Sequence, residues 1–152
     1  MSTNDNTPRG PVVVGVDGSP NSIKALRIAL REAGWRGVGV RAVAVWQFPV
    51  AYGLEGSVYP IDGAELEKGA RSTLDEAIAD AFPDPADRAK IEGVTPAGSP
   101  SEQLITESKK ADLLVVGARG HGGFVGLLLG SVSTQVVKHA HCPVLVVPPE
   151  YD

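Results

Sequence analysis

The chain has 152 residues, 14 basic against 18 acidic side chains, a net charge of −4 and 43% hydrophobic residues. At this length one core hides roughly 70% of the unfolded surface, so a single domain holds together without disulfides or a structural metal. The acidic balance argues against nucleic acid or an anionic membrane as partner, since both select basic surfaces. The one cysteine, Cys142, excludes an internal disulfide, and the three histidines lack paired metal-ligand spacing.

The opening MSTNDNTPRG is polar and has no apolar signal-peptide centre. The expectation is a flexible tail over residues 1–10, one domain over 11–149 and a cytoplasmic location. The apolar run over 124–129 is interrupted by glycine and is far below the roughly 20 residues that cross a bilayer.

Residues 12–16, VVVGV, form a continuous β-branched run, as in a strand covered on both faces of a parallel sheet. Ser19 and Pro20 supply a cap and a first helical residue; Ile23, Leu26, Ala29, Leu30 and Ala33 follow at helical spacing, predicting a helix that stops at Gly34. A valine-rich second strand is expected over 38–46, then a long loop of prolines, glycines and aromatics over 47–61. Leu66, Ala70, Leu74, Ala77, Ile78 and Ala81 lie on one stripe of a second helix, with Asp62, Glu65 and Glu67 near its positive end and PDP after it. A weak third strand spans 90–96, and Ser99-Pro100-Ser101-Glu102 reads as a capping box opening a helix through Ala111. The fourth strand covers 113–116, a helix with Val132, Val136 and Val137 inward covers 131–139, and a fifth strand covers 143–147.

Strands alternating with helices predict an open, doubly wound, Rossmann-like α/β fold: a five-stranded parallel sheet, helices on both faces, strand order 3-2-1-4-5. Such sheets bind ligands outside the carboxyl ends of the strands where the order reverses, here between the first and fourth strands. Directly after the fourth strand the chain reads GARGHGGFVGLLLGSVS over 117–133, a glycine-rich loop feeding a helix N-terminus. Glycine admits close backbone approach, and a helix N-terminus offers unpaired N–H groups to an anion; the competing reading is a loop whose glycines only make turns. A Walker A motif is excluded because no lysine lies between Lys110 and Lys138, and the dinucleotide fingerprint fails at Val125. Asp17, ending VVVGVD, suits both a ribose-binding carboxylate and an Asx turn into the first helix. Arg119 is either a phosphate contact or a solvated loop cation.

With VGVDGS, ADLLVVGARGHGG, the spacing G-x2-G-x9-G-S at Gly117, Gly120, Gly130 and Ser131, and the ending HCPVLVVP, the whole chain resembles the universal stress protein family, in its ATP-binding branch. The resemblance implies a cytoplasmic, stress-responsive, ATP-binding regulatory homodimer. It places the ribose at Asp17 and the adenine at the backbone of Val45. It surrounds the phosphates, usually carrying Mg2+ or Mn2+, with Val116, Gly117, Gly120, His121, Gly130, Ser131, Val132 and Ser133. It also sets Val144, Leu145 and Val146 at a dimer interface. Ala44 departs from the family, which often has histidine there. His121 and Arg119 have no nearby carboxylate in the sequence to fix a catalytic role, so the expectation is binding with little or no turnover. The rivals are a slow ATPase or autophosphorylating protein, and an interaction module with an empty loop.

Overall fold

The computed structural model describes residues 9–48, 62–120 and 129–149. The expected tail before Arg9, most of the loop over 47–61, and His121 lie outside the described residues. The elements are β1 (Val12–Gly15), α1 (Pro20–Arg36), β2 (Val40–Val43), α2 (Gly63–Ala81), a one-turn α3 (Pro85–Arg88), β3 (Ile91–Val94), α4 (Pro100–Ser108), β4 (Leu113–Gly117), α5 (Ser131–His139) and β5 (Val144–Val147). All strand pairs are parallel, in the order β3-β2-β1-β4-β5. The expected doubly wound sheet is therefore what the chain forms.

The valine runs are continuous because the sheet is buried on both sides and each strand feeds two cores. On one face Val12, Val14 and Val115 meet Leu26, Ala29 and Ala33 of α1 and Leu74 and Ala77 of α2. On the other face Val13, Leu114 and Val116 meet Leu104 of α4 and Val136 of α5. Val137, expected to face inward, is 48% exposed: α5 is nine residues long and its inner stripe is carried by Val132, Ser133 and Val136.

The structure departs from the sequence reading at several points, among them α4, which ends at Ser108 and not at Ala111. Helix α1 runs past Gly34 to Arg36 and ends at Gly37, whose φ of 67° lets Val38 N–H reach the Ala33 carbonyl. A left-handed residue stops a helix, whereas an exposed mid-helix glycine only weakens it. Strand β2 is shorter than 38–46, although Trp46 still bridges to Ala97. Residues 85–88 form α3, capped by Asp84, where the sequence suggested only a stop. Ser99 does not cap α4 through its side chain; its hydroxyl faces that of Ser101 at 3.2 Å, so the predicted box is not closed.

Candidate functional site

At the carboxyl ends of β1 and β4 the chain leaves the sheet in two turns that face each other. After β1, Asp17 Oδ1 accepts the Ser19 N–H at 2.9 Å and the Ser19 hydroxyl at 2.5 Å, with Gly18 at φ 84° between them. That is the Asx turn, and it aims α1: Ser19 Oγ in turn accepts the Ser22 N–H at 3.2 Å as its N-cap. Asp17 itself is exposed at the crevice.

After β4, Gly117 and Gly120 lie close to this turn for a steric reason and not a conformational one. Neither has positive φ; a β-carbon at Gly117 would lie 2.9 Å from the Asn21 carboxamide, and one at Gly120 would lie 2.5 Å from Asp17 Oδ2. Gly130 is different. Its φ of −75° is open to any residue, and a β-carbon there would keep 3.5 Å or more from its neighbours.

Gly130 caps α5 and, being glycine, brings no side chain of its own to close that end. The first bond of the helical ladder runs from Thr134 N–H to the Gly130 carbonyl at 3.0 Å, which leaves the N–H groups of Ser131, Val132 and Ser133 ahead of it. This end is held against β4 by Gly130 N–H donating to the Ala118 carbonyl at 2.6 Å and by the buried Ser133 hydroxyl, which reaches Ala118 O at 2.9 Å and Gly130 O at 3.1 Å. The side chains of Val116 and Val132 pack into the core, so only their peptide groups are offered to the crevice. Ser131 is exposed at the helix start.

Val45 stands one strand across. Ala44 N–H bonds Val94 O and Trp46 N–H bonds Pro96 O, both toward β3. Strand alternation directs the Val45 peptide groups the other way, beyond the end of β1, where they meet no backbone partner among the described residues. Thus Asp17, Gly117, Gly120, Gly130, Ser131, Val132 and the Val45 backbone all lie at the carboxyl-end side of the sheet. Val144, Leu145 and Val146 lie instead within β5, the sheet edge.

The sequence reading passed over Asn21. It is 7% exposed, in register with the buried Ala25, Ala29 and Ala33 of α1 and beside the buried Ser22. A polar residue at that phase, in the first turn of the helix, was the available signal. A groove of about 520 Å³ lies at the other end of the sheet, over Leu30, Val38 and Val40 with Arg27, Arg31 and Lys90 at its rim, and no sequence-predicted site residue lines it.

The sequence pattern of the universal stress protein family matches residues 8–148. The chain belongs to that family. It is 41% identical over 146 residues to a universal stress protein of Mycolicibacterium smegmatis, covering 93% of this chain and 46% of that protein. It is 37% identical over 139 residues to one of Mycobacterium tuberculosis, covering 90% and 44%. The chain spans a little under half the length of these relatives. Among solved universal stress proteins, one in complex with cAMP is 28% identical, with TM-score 0.63, coverage of 91% of this chain and 96% of that one. Another, from Archaeoglobus fulgidus, is 26% identical with TM-score 0.65, covering 93% and 96%.

Proposed function

We propose that this universal stress protein binds ATP in the crevice between β1 and β4 and acts as a nucleotide-dependent regulatory sensor with little or no turnover. The observation that carries the reading is the N-terminus of α5, whose glycine cap leaves the three leading N–H groups without a side-chain cap among the described residues, beside the glycine turn after β4. Unpaired N–H groups at the positive end of a helix suit phosphate oxygens. Gly130 supports this, since neither its φ nor its neighbours among the described residues require glycine there. Close approach of a ligand to the helix start does.

In this reading Asp17 accepts hydrogen bonds from the ribose hydroxyls and the Val45 peptide groups meet the adenine edge. The phosphates rest on Gly117, Gly120, Gly130, Ser131, Val132 and Ser133, the Ser133 contact coming from its N–H because its hydroxyl faces backbone carbonyls. His121 belongs to the same loop in the sequence. Among the described residues no three His, Cys, Asp or Glu side chains gather for a metal. A Mg2+ or Mn2+ ion would therefore be held mainly by the phosphates themselves. The relative solved with cAMP supports an adenine nucleotide as the ligand class.

The partner is proposed to be a second copy through β5, with Val144, Leu145 and Val146 at the contact, because β5 is a sheet edge paired on one side by β4. The cytoplasm is the proposed location; no helix among the described residues is long and apolar enough to cross a membrane.

Protein purified from cells and denatured should release an adenine nucleotide detectable by mass analysis, and calorimetry of emptied protein with ATP should show one site per chain. Phosphate release at saturating ATP should stay at the level of a Gly120→Val variant. Absence of nucleotide together with no heat at 0.1 mM ATP, roughly −5.5 kcal/mol at most by affinity arithmetic, would refute the binding reading; phosphate release well above the variant would replace the sensor with an ATPase.

A further inference from the structure

We infer that Asn21 is the positioning residue of the phosphate site, setting affinity for the phosphate tail of a nucleotide while touching none of it. This rests on the nucleotide reading above and adds to it a residue of α1. The Asn21 carboxamide is buried and has both ends engaged: its Nδ2 donates to the Val147 carbonyl of β5 at 3.0 Å, and its Oδ1 accepts the Arg119 N–H at 2.9 Å. One partner is a carbonyl and the other an N–H, so the orientation of the amide is fixed by its surroundings.

Arg119 is the second residue beyond β4, where the chain leaves the sheet for the glycine turn. Its peptide neighbour Ala118 is held on both sides, by donating to Val147 O at 2.8 Å and by accepting from Gly130 N–H at 2.6 Å. Ala118 thus fixes the turn to β5 and to α5, and Asn21 adds the third anchor, to α1. The close fit at Gly117, where a β-carbon would strike the Asn21 carboxamide at 2.9 Å, is the counterpart of that anchor. Without Asn21 the Arg119 N–H loses its acceptor, whereas Val147 O keeps the Ala118 N–H. The sheet stays paired and the turn after β4 loses its hold on α1.

The turn carries the phosphate half of the site, while Asp17 and Val45 stand on other strands' ends. Loosening it should therefore separate two ligands that share the nucleoside. Asn21→Ala is expected to weaken ATP by tenfold or more in calorimetry and to change adenosine by less than twofold. A parallel fall of both ligands, the result of general destabilisation, overturns the inference, as does an unchanged ATP affinity. Wild-type protein that takes up neither ATP nor adenosine overturns the nucleotide reading and this inference with it. Amide exchange of wild-type protein provides the second measurement if Asn21→Ala does not fold. The Arg119 amide should exchange at least a hundredfold more slowly than an unstructured amide, and exchange at the unstructured rate overturns the anchor.

Discussion

Asp17 and Gly120 meet across the crevice so closely that a β-carbon on Gly120 would come within 2.5 Å of Asp17 Oδ2. The carboxylate cannot simply swing aside, because Oδ1 is held by the N–H and the hydroxyl of Ser19. The ends of β1 and β4 are thereby fitted to each other.

Gly120→Ala should consequently cost on the order of 1 kcal/mol through that contact, within the range for overpacking, and should lower nucleotide affinity. In an Asp17→Ala background the same substitution should be nearly neutral for stability. Urea unfolding of the four proteins gives the coupling directly, and additive effects would show that the two residues do not press on one another.

Asp17 has two tasks that can be separated. Asp17→Ala removes the Asx turn and should destabilise the fold by about 1 kcal/mol, as loss of a capping interaction does, and should weaken ATP by about 1–3 kcal/mol, the scale of hydrogen bonds to a charged group. With 2′,3′-dideoxy-ATP the substitution should alter affinity little. Equal losses for both nucleotides would move the ribose away from Asp17.

On β5 the direction of each peptide decides which residue tests the dimer. Leu114 N–H bonds Pro143 O and Ala118 N–H bonds Val147 O, so residues 143, 145 and 147 direct their peptide groups to β4 while Val144 and Val146 direct theirs outward. Leu145→Pro would break the chain's own sheet. Val146→Pro removes an outward N–H and should give a folded monomer by circular dichroism and light scattering, against a dimeric wild type at micromolar concentration. A folded dimeric variant would place the contact elsewhere.

Burial, and next the Asp112 charge, push the Cys142 thiol above its ordinary range. Less thiolate means slower attack on an electrophile: at pH 8, iodoacetamide should label native protein at least tenfold more slowly than the urea-unfolded chain. Asp112→Asn should narrow that gap, as mass spectrometry would show. The raised value also fixes the sign of the linkage. The contribution to stability is full below the ordinary thiol pKa and is lost as pH rises through the folded value.

Strand and helix alternation, the parallel sheet and its order were legible because buried strands need unbroken apolar runs, such as 12–14 and 113–116, and because helices must present one apolar stripe. Asp17 and the glycines at 117, 120 and 130 could be placed at the carboxyl ends of β1 and β4 for the same reason: topology dictates where strand ends meet. What the linear pattern does not encode is which partners distant groups find. Gly37 ends α1 instead of Gly34 because the chain must turn into β2 through a left-handed residue, which depends on where β2 lies. Ser133 faces inward to Ala118 because α5 docks on β4, although its position beside the glycine motif reads as ligand contact. Asn21 joins Arg119, 98 residues away, and Val147, 126 residues away. Contacts of that separation are created by the packing of α1 over β4 and β5, and a polar side chain on a helix stripe gains its meaning only when the groups it must satisfy have been brought to it.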